Sequence, residues 1–342
     1  MGEKENYVGN GAYKLTNHII NEKIEFERNP LYWNDKETVI NSATFLAIEN
    51  PSTDVARYRA GDLDMTSYAL PPEQFAKLQK ELPGEVFTTR TLATYSYELN
   101  NKKAPFDNVN VRKALNLSLD RNVITDKVLG QGQTPTYVFT PTYIEEGQLI
   151  QQPAYSKEPM AQRNEEAIKL LEEAGYSKAN PLKFSILYNT NENHKKVAIA
   201  AASMWKANTK GLIDVKLENQ EWKTYIDSRR AGRYDAARAG WNADYNQATT
   251  FGNYFLSNSS NNTAKYANPE YDKAIAESYV ATDAEGRAKA YAKAEEILAK
   301  DFGIVPIFNY VNPRLVKPYV KGYSGKDPQD HIYLRNLYII KH

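Results

Sequence analysis

The chain contains no cysteine. That excludes disulfides, thiolate zinc sites and thiol catalysis, and leaves the compartment open. Histidine is scarce. His18, His194, His331 and His342 are the only four in 342 residues, and no two stand at metal-ligand spacing, so no histidine-based metal site is expected. An excess of charge of one sign is missing too. Lys and Arg total 43 against 42 Asp and Glu, a net charge of +1, without the clustered basic surplus of a nucleic-acid binder. No apolar run reaches the roughly 18 residues that a membrane span needs. The opening Met1-Gly2-Glu3-Lys4-Glu5-Asn6 is polar and does not read as a signal peptide.

Catalytic signatures are absent as well. There is no Gly-x-Ser-x-Gly elbow, no Gly-x-x-x-x-Gly-Lys loop and no His-Glu-x-x-His. Gly130-Gln131-Gly132 is a turn, not a dinucleotide fingerprint. Asp62 and Asp64 share a face if their segment is a strand, but a solvated turn accounts for them more simply than a glycosidase pair. With no thiol and few histidines, a hydrolase would need an unusual nucleophile, so no enzyme and no cofactor are expected. What is present is ordinary globular composition, 42% hydrophobic and 25% charged, at a length that predicts two domains. Tyrosine is abundant, at 25 residues. Each either fills a half-buried strand or offers a flat face with a polar tip to varied ligands.

Periodicity and turn chemistry predict the elements. Asn10–Leu15 enters a strand whose hairpin partner is Lys23–Glu27, and Ala43–Ile48 is a third strand. Ser52–Ala60 is a helix with Ser52 as its N-cap and Gly61 ending it. Asp62–Met65 starts a short strand, and Pro72–Leu78 is a short helix. Thr91–Asn100 is a strand with Tyr95, Tyr97 and Leu99 on one face, followed by helices over Val109–Ser118 and Arg121–Val128. Asn164–Ala174 is a helix stopped by Gly175. Leu182–Tyr188, Asn193–Asn208 and Ile213–Leu217 form a βαβ unit, continued by a helix at Trp222–Ala231 and a strand at Tyr234–Trp241. Such units imply an α/β lobe with a mostly parallel sheet. Thr282-Asp283-Ala284-Glu285 has the form of a capping box for a helix running to about Lys300, and Ile304–Tyr310 is a final strand.

Read together, several segments become specific. They are Asn10-Gly11-Ala12-Tyr13, Arg57 to Met65, Pro105-Phe106-Asp107 with Val111 to Leu115, Arg163 to Ala167, Asn219 to Thr224, Arg238 to Asn246, and Arg335 to Tyr338. In this order and spacing the chain resembles the extracellular solute-binding proteins of peptide ABC importers (family 5), its likeness falling closest to the oligopeptide binders and the murein-tripeptide binders. The resemblance implies an α/β fold of the periplasmic-binding-protein type (type II, cluster C), with lobes built on mixed sheets. It begins late in lobe I, so the N-terminal part of lobe I and the small extra lobe are expected to be absent. Residues 1–92 and 312–342 would be the remainder of lobe I, residues 93–311 the peptide-binding lobe III, and the hinge would lie near residues 92 and 311.

The resemblance also assigns residues. Gly240, Trp241 and Asn242 match a receptor strand that holds an extended peptide by main-chain hydrogen bonds. Asp244 by itself is a turn or N-cap aspartate; the resemblance makes it the carboxylate that meets the peptide's α-ammonium group. Arg238 matches a position that binds the carboxylate end of short peptides, Arg229 resembles it more weakly, and His194 matches a position reaching the carboxylate of longer ones. Each also has a plainer reading, Arg238 as an internal ion pair and His194 as a helix-start residue. The family's companion lysine falls near Gln148, a departure that leaves peptide length open. Trp222 and Trp241 match pocket walls or are plain core packing. Tyr310, Glu98 and Asn189 match cleft-lining positions. Ala93 and Asn242 stand where the nearest relatives carry a disulfide, which cannot form here.

The implied function is the substrate-binding component of an oligopeptide ABC transporter, closing two lobes on a peptide held in an interlobe cleft. Its partners would be an oligopeptide ligand and the membrane permease of the importer, with no nucleic acid, no metal and no cofactor, as a periplasmic monomer. A narrower ligand (a murein peptide or haem) and a non-binding fragment of such a receptor remain as alternatives.

Overall fold

A computed structural model describes residues 7–67 and 69–341; Met1–Asn6, Tyr68 and His342, with the polar opening read above, lie outside the described residues. The chain divides into two compact units, Met1–Thr89 with Asn312–His342, and Arg90–Val311.

In the first unit, strands β1 (Tyr13–Ile19), β2 (Lys23–Arg28) and β3 (Ser42–Leu46) form an antiparallel meander. Helix α1 (Pro51–Ala60) is capped by Asn50, whose side chain accepts from the amides of Ser52 and Thr53, and ends at Gly61 with φ of 88°. The cap therefore sits two residues before the expected Ser52, because Pro51 occupies the first helical turn where its missing N–H costs nothing. The expected strand at Asp62–Met65 reduces to a single bridge between Met65 and Val316. Helix α2 (Pro72–Glu81) turns Phe75 and Leu78 onto Val55, Tyr58, Leu70 and Leu315 in a small core. Lys317 lies 4.1 Å over the Tyr58 ring, and the Tyr58 hydroxyl donates to Glu85.

Strand β4 (Val86–Leu99) carries the chain into the second unit. It is followed by α3 (Val109–Leu117), β5 (Thr134–Pro135), α4 (Met160–Glu173), β6 (Leu182–Asn189), α5 (Glu192–Asn208), β7 (Ile213–Gln220), α6 (Trp222–Arg230) and β8 (Ala236–Asn242). Then come α7 (Thr249–Gly252), α8 (Pro269–Val280), α9 (Ala284–Lys300) and β9 (Ile304–Leu315), which returns the chain to the first unit, where β10 (Val320–Lys321) pairs with β11 (Tyr338–Ile339). The expected helix at Arg121–Val128 is realised as a π-helix over Val123–Leu129, closed by the Gly130 amide on the Thr125 carbonyl five residues back. The capping box at Thr282 does not form: Asp283 is the N-cap of α9 and accepts from the Gly286 amide at 2.7 Å.

Six strands make one mixed sheet in the order β5-β9-β4-β8-β6-β7. The βαβ unit is parallel in eight register pairs from Leu182–Ile213 to Asn189–Gln220, while β4 and β8 run antiparallel. One face is covered by α3, α4 and α5, which bury Tyr95, Tyr97, Phe184, Phe308 and the fully enclosed Trp205. Truncating a side chain like Trp205 to alanine costs about 3–5 kcal/mol. The other face is covered by α7, α8 and α9, around Phe139, Phe251, Tyr254, Phe255, Tyr271 and Tyr291.

Candidate functional site

Strand β8 sits inside the sheet yet is paired along its whole length on one side only. Its β4 partners run from Ala93–Asn242 to Leu99–Ala236. On the other side only Ile186–Ala236 and Leu187–Ala237 pair with β6, which then leaves with β7. The Ala243 amide donates to the Leu92 carbonyl at 2.8 Å. Bonded and non-bonded pairs alternate in an antiparallel ladder, so Trp241, Ala239 and Ala237 spend their main-chain groups on β4. Those of Arg238, Gly240 and Asn242 turn toward the opened side. The Arg238 carbonyl is taken there by the Tyr225 hydroxyl from α6. Gly240 and Asn242 face an edge with no strand opposite them among the described residues.

The side chains of β8 divide between the two faces. Cross-strand partners share a face, so Arg238 and Gly240 lie with Tyr97 and Tyr95 on the α5 side. The Arg238 guanidinium stands 5.1 Å over the Tyr95 ring, donates to the Tyr310 hydroxyl and reaches Asn189 Oδ1 at 3.5 Å. Rings and neutral oxygens surround it, no carboxylate pairs with it among the described residues, and its Nε has no partner. A largely enclosed cation without a counter-ion favours an incoming anion. His194, at the start of α5, packs its ring 5.6 Å from Tyr95. Burial, and then the charge of Arg238, hold its imidazole well below the ordinary histidine range, so it is neutral here. A methyl group on Gly240 would meet Arg238 Nη2 at 2.9 Å and the Tyr310 hydroxyl at 3.0 Å, so the missing side chain is what lets the guanidinium fold over the strand.

The opposite face has a different chemistry. Glu98 is fully buried and pairs with Arg229 at 2.9 Å; it also accepts from Tyr254 at 2.5 Å and from Thr263. Arg229 itself is buried. The two charges compensate each other inside the unit, although Arg229 Nε has no partner among the described residues, and removing either residue would leave a buried charge at a cost of about 3–5 kcal/mol. Trp241 packs edge-on against Tyr254 and donates to the Thr250 carbonyl at 2.9 Å. Asp244 follows the strand, exposed, with its amide on the Thr250 hydroxyl. Trp222 is 57% exposed and lies 5.8 Å from the Tyr225 ring.

The candidate residues therefore do not form one cluster. Arg238, Gly240, Tyr310, Asn189 and His194 are brought together on the α5 face. Asp244 and Asn242 continue the line beyond it, and Trp222 stands apart on α6. Glu98 and Arg229 are turned to the other face and engaged with each other. Ala93 and Asn242 face each other directly across the ladder. Two residues of the site, Tyr225 and Thr250, are not singled out by the sequence, and Tyr95 is read there only as part of one strand face. The alternation that placed Tyr95 and Tyr97 on one face already put Glu98 on the other; nothing local marked Tyr225 or Thr250.

Comparison with known proteins places the chain among binding proteins. A family model described as bacterial extracellular solute-binding proteins, family 5, middle, matches residues 1–263. The chain is 96% identical over 340 residues to the periplasmic oligopeptide-binding protein OppA of Haemophilus influenzae, covering 99% of this chain and 63% of that protein. It is 43% identical to the periplasmic murein peptide-binding protein MppA of Escherichia coli, covering 98% of this chain and 62% of that protein. A crystal structure of Haemophilus influenzae OppA in complex with RPPGFSPFR superposes with a TM-score of 0.96 at 95% identity, over 99% of this chain and 66% of that one. The chain thus spans under two thirds of the length of these relatives.

Proposed function

We propose, from the premise that this chain belongs to the bacterial extracellular solute-binding proteins of family 5, that the protein it builds captures short peptides and delivers them to the membrane permease of a peptide ABC importer. The observation that carries this reading is the open edge of β8. Gly240 and Asn242 offer main-chain donors and acceptors to an added strand. That edge lies between Arg238, a cation with no carboxylate partner among the described residues, and the exposed carboxylate of Asp244. A strand rises about 3.3 Å per residue, so these two backbones are at most about 20 Å apart, a span matched by an extended peptide of about three to five residues. An unmodified peptide carries the complementary charges at its two ends, and main-chain pairing ignores its side chains, which allows a broad ligand range.

In this reading Asp244 takes the α-ammonium group and Arg238 the carboxylate of short ligands, with neutral His194, Tyr310 and Asn189 lining that end. Trp222 and Trp241 form side-chain walls. Glu98 and Arg229 serve as an internal brace beneath Tyr225. Residues 1–92 with 312–342 are assigned to the remainder of lobe I and 93–311 to lobe III, with the hinge near residues 92 and 311; the two compact units support this division. The relatives are named as periplasmic binding proteins, and the working place proposed is the periplasm, as a monomer without a cofactor and without turnover of the bound peptide.

Isothermal titration of a receptor of the relatives' full length carrying these residues tests the reading. Tripeptides to pentapeptides with both termini free should bind. N-acetylated and C-amidated versions should bind more weakly, each by about ten-fold or more for a lost charged hydrogen bond. A flat trace across a diverse peptide library would sink the proposal.

A further inference from the structure

The hydroxyl of Thr250 stands where Trp241 and Asp244 meet, and Thr250 is buried to 4% exposure. Three polar atoms surround it: the Asp244 amide nitrogen at 3.1 Å, Trp241 Nε1 at 3.3 Å and Asp244 Oδ2 at 3.4 Å. An amide N–H and an indole N–H can only donate, so the hydroxyl accepts from both and both of its lone pairs are used. Its single proton is left for the Asp244 carboxylate, the one acceptor of the three. Neighbouring donors, not free rotation, thus decide the direction of that hydrogen bond.

The frame around Thr250 is also fixed. The Thr250 carbonyl takes the Trp241 indole at 2.9 Å. On either side of it, Tyr291 holds the Thr249 hydroxyl at 3.3 Å and Tyr271 donates to the Gly252 carbonyl at 2.7 Å. The Ala248 amide donates to the Glu145 carbonyl at 3.0 Å.

We propose that Thr250 is the positioning residue of the ammonium subsite. It occupies Oδ2 of Asp244 and so presents Oδ1 to the ligand, and it ties the carboxylate to the Trp241 wall, so that one side chain sets both the charge and the pocket beside it. This rests on the peptide-binding reading given above.

The test uses the receptor of full relatives' length and one peptide in two forms, with a free and with an acetylated N-terminus. The parent should prefer the free form, and Asp244→Asn should abolish the preference. Thr250→Val should cut it by about ten-fold, as loss of a hydrogen bond to a charged group does, over and above any change that a looser Trp241 wall brings equally to both forms. Thr250→Ser, which keeps the hydroxyl, should restore it. Thr250→Ala replaces the valine variant if that one melts below the assay temperature. If the preference vanishes in Asp244→Asn but persists in both hydroxyl-free variants, the role of Thr250 is overturned and the ammonium subsite stands. If Asp244→Asn keeps the preference, the subsite itself falls, and Thr250 with it.

Discussion

At Gly240 the missing side chain is filled by someone else's: the end of Arg238 lies where a methyl group would go. The backbone there is ordinary strand, so alanine presses only on the guanidinium, a movable group at the end of a long chain, and on the tip of Tyr310 at 3.0 Å. Gly240→Ala should therefore leave the melting temperature within a few degrees of the parent. It should still weaken peptides with a free carboxylate more than their amidated forms, which titration calorimetry of both forms would show; equal losses for the two would refute the argument. His194 makes a second prediction at this scale. Its pKa in the folded protein lies well below the ordinary 6.5, through burial first and Arg238 second. Above about pH 6.5 the imidazole is neutral folded or unfolded and contributes nothing to pH dependence. As pH falls below that value the unfolded chain takes up the proton and the folded chain does not, so stability is lost downward from about 6.5 toward the folded value. A His194→Gln variant should lose less stability than the parent between about pH 7 and 5, measured as paired urea denaturations. Parallel pH curves would show that His194 is not responsible.

The element that matters most is β8, and its parity is testable. The Asn242 N–H faces the open edge, while the Ala239 N–H lies in the ladder with β4. Proline removes the N–H in either place. Asn242→Pro should keep the fold, as prolines on free edges do, and lose peptide binding. Ala239→Pro should lower stability by about 1–3 kcal/mol by stranding the Ser96 carbonyl. Circular dichroism melts with titrations decide it, and the reverse pattern would mean that the parity is wrong. Much of this element level was legible beforehand. The apolar periods of Leu182–Tyr188, Asn193–Asn208 and Ile213–Leu217 yield β6, α5 and β7, because their amphipathic faces are buried as the pattern predicts. Caps were misplaced where two cappers stand close together, at Asn50 near Ser52 and at Asp283 next to Thr282, since the choice depends on which residue lies outside the first turn. Helix α8 went unread although Asn268 and Pro269 announce it and its buried stripe of Tyr271, Ala274, Ile275 and Ser278 has helical spacing, because only two of those four residues are large and apolar. Register is not a local property. The sequence suggests that Arg238 and Glu98 are both functional, but only the β4–β8 pairing puts them on opposite faces.

At the scale of the molecule, these residues span 62–63% of the length of their relatives. A ligand held along one strand edge stays open to water, and binding is firm only when most of its surface is enclosed. A receptor of the relatives' full length should accordingly bind a given pentapeptide more tightly than these 342 residues alone, by about a hundred-fold or more if enclosure supplies several buried contacts. Equal affinities in side-by-side titrations would mean that the edge of β8 and its two charges suffice. The same unfilled edge also decides how the protein behaves in storage. Free N–H and C=O groups in the middle of a sheet are a template for any extended chain, including a partly unfolded copy of the same protein. On that edge the Tyr225 hydroxyl takes the Arg238 carbonyl, and among the described residues no strand covers Gly240 and Asn242. A concentrated sample without peptide should turn cloudy with time, and a millimolar short peptide should keep it clear: the cargo acts as its preservative.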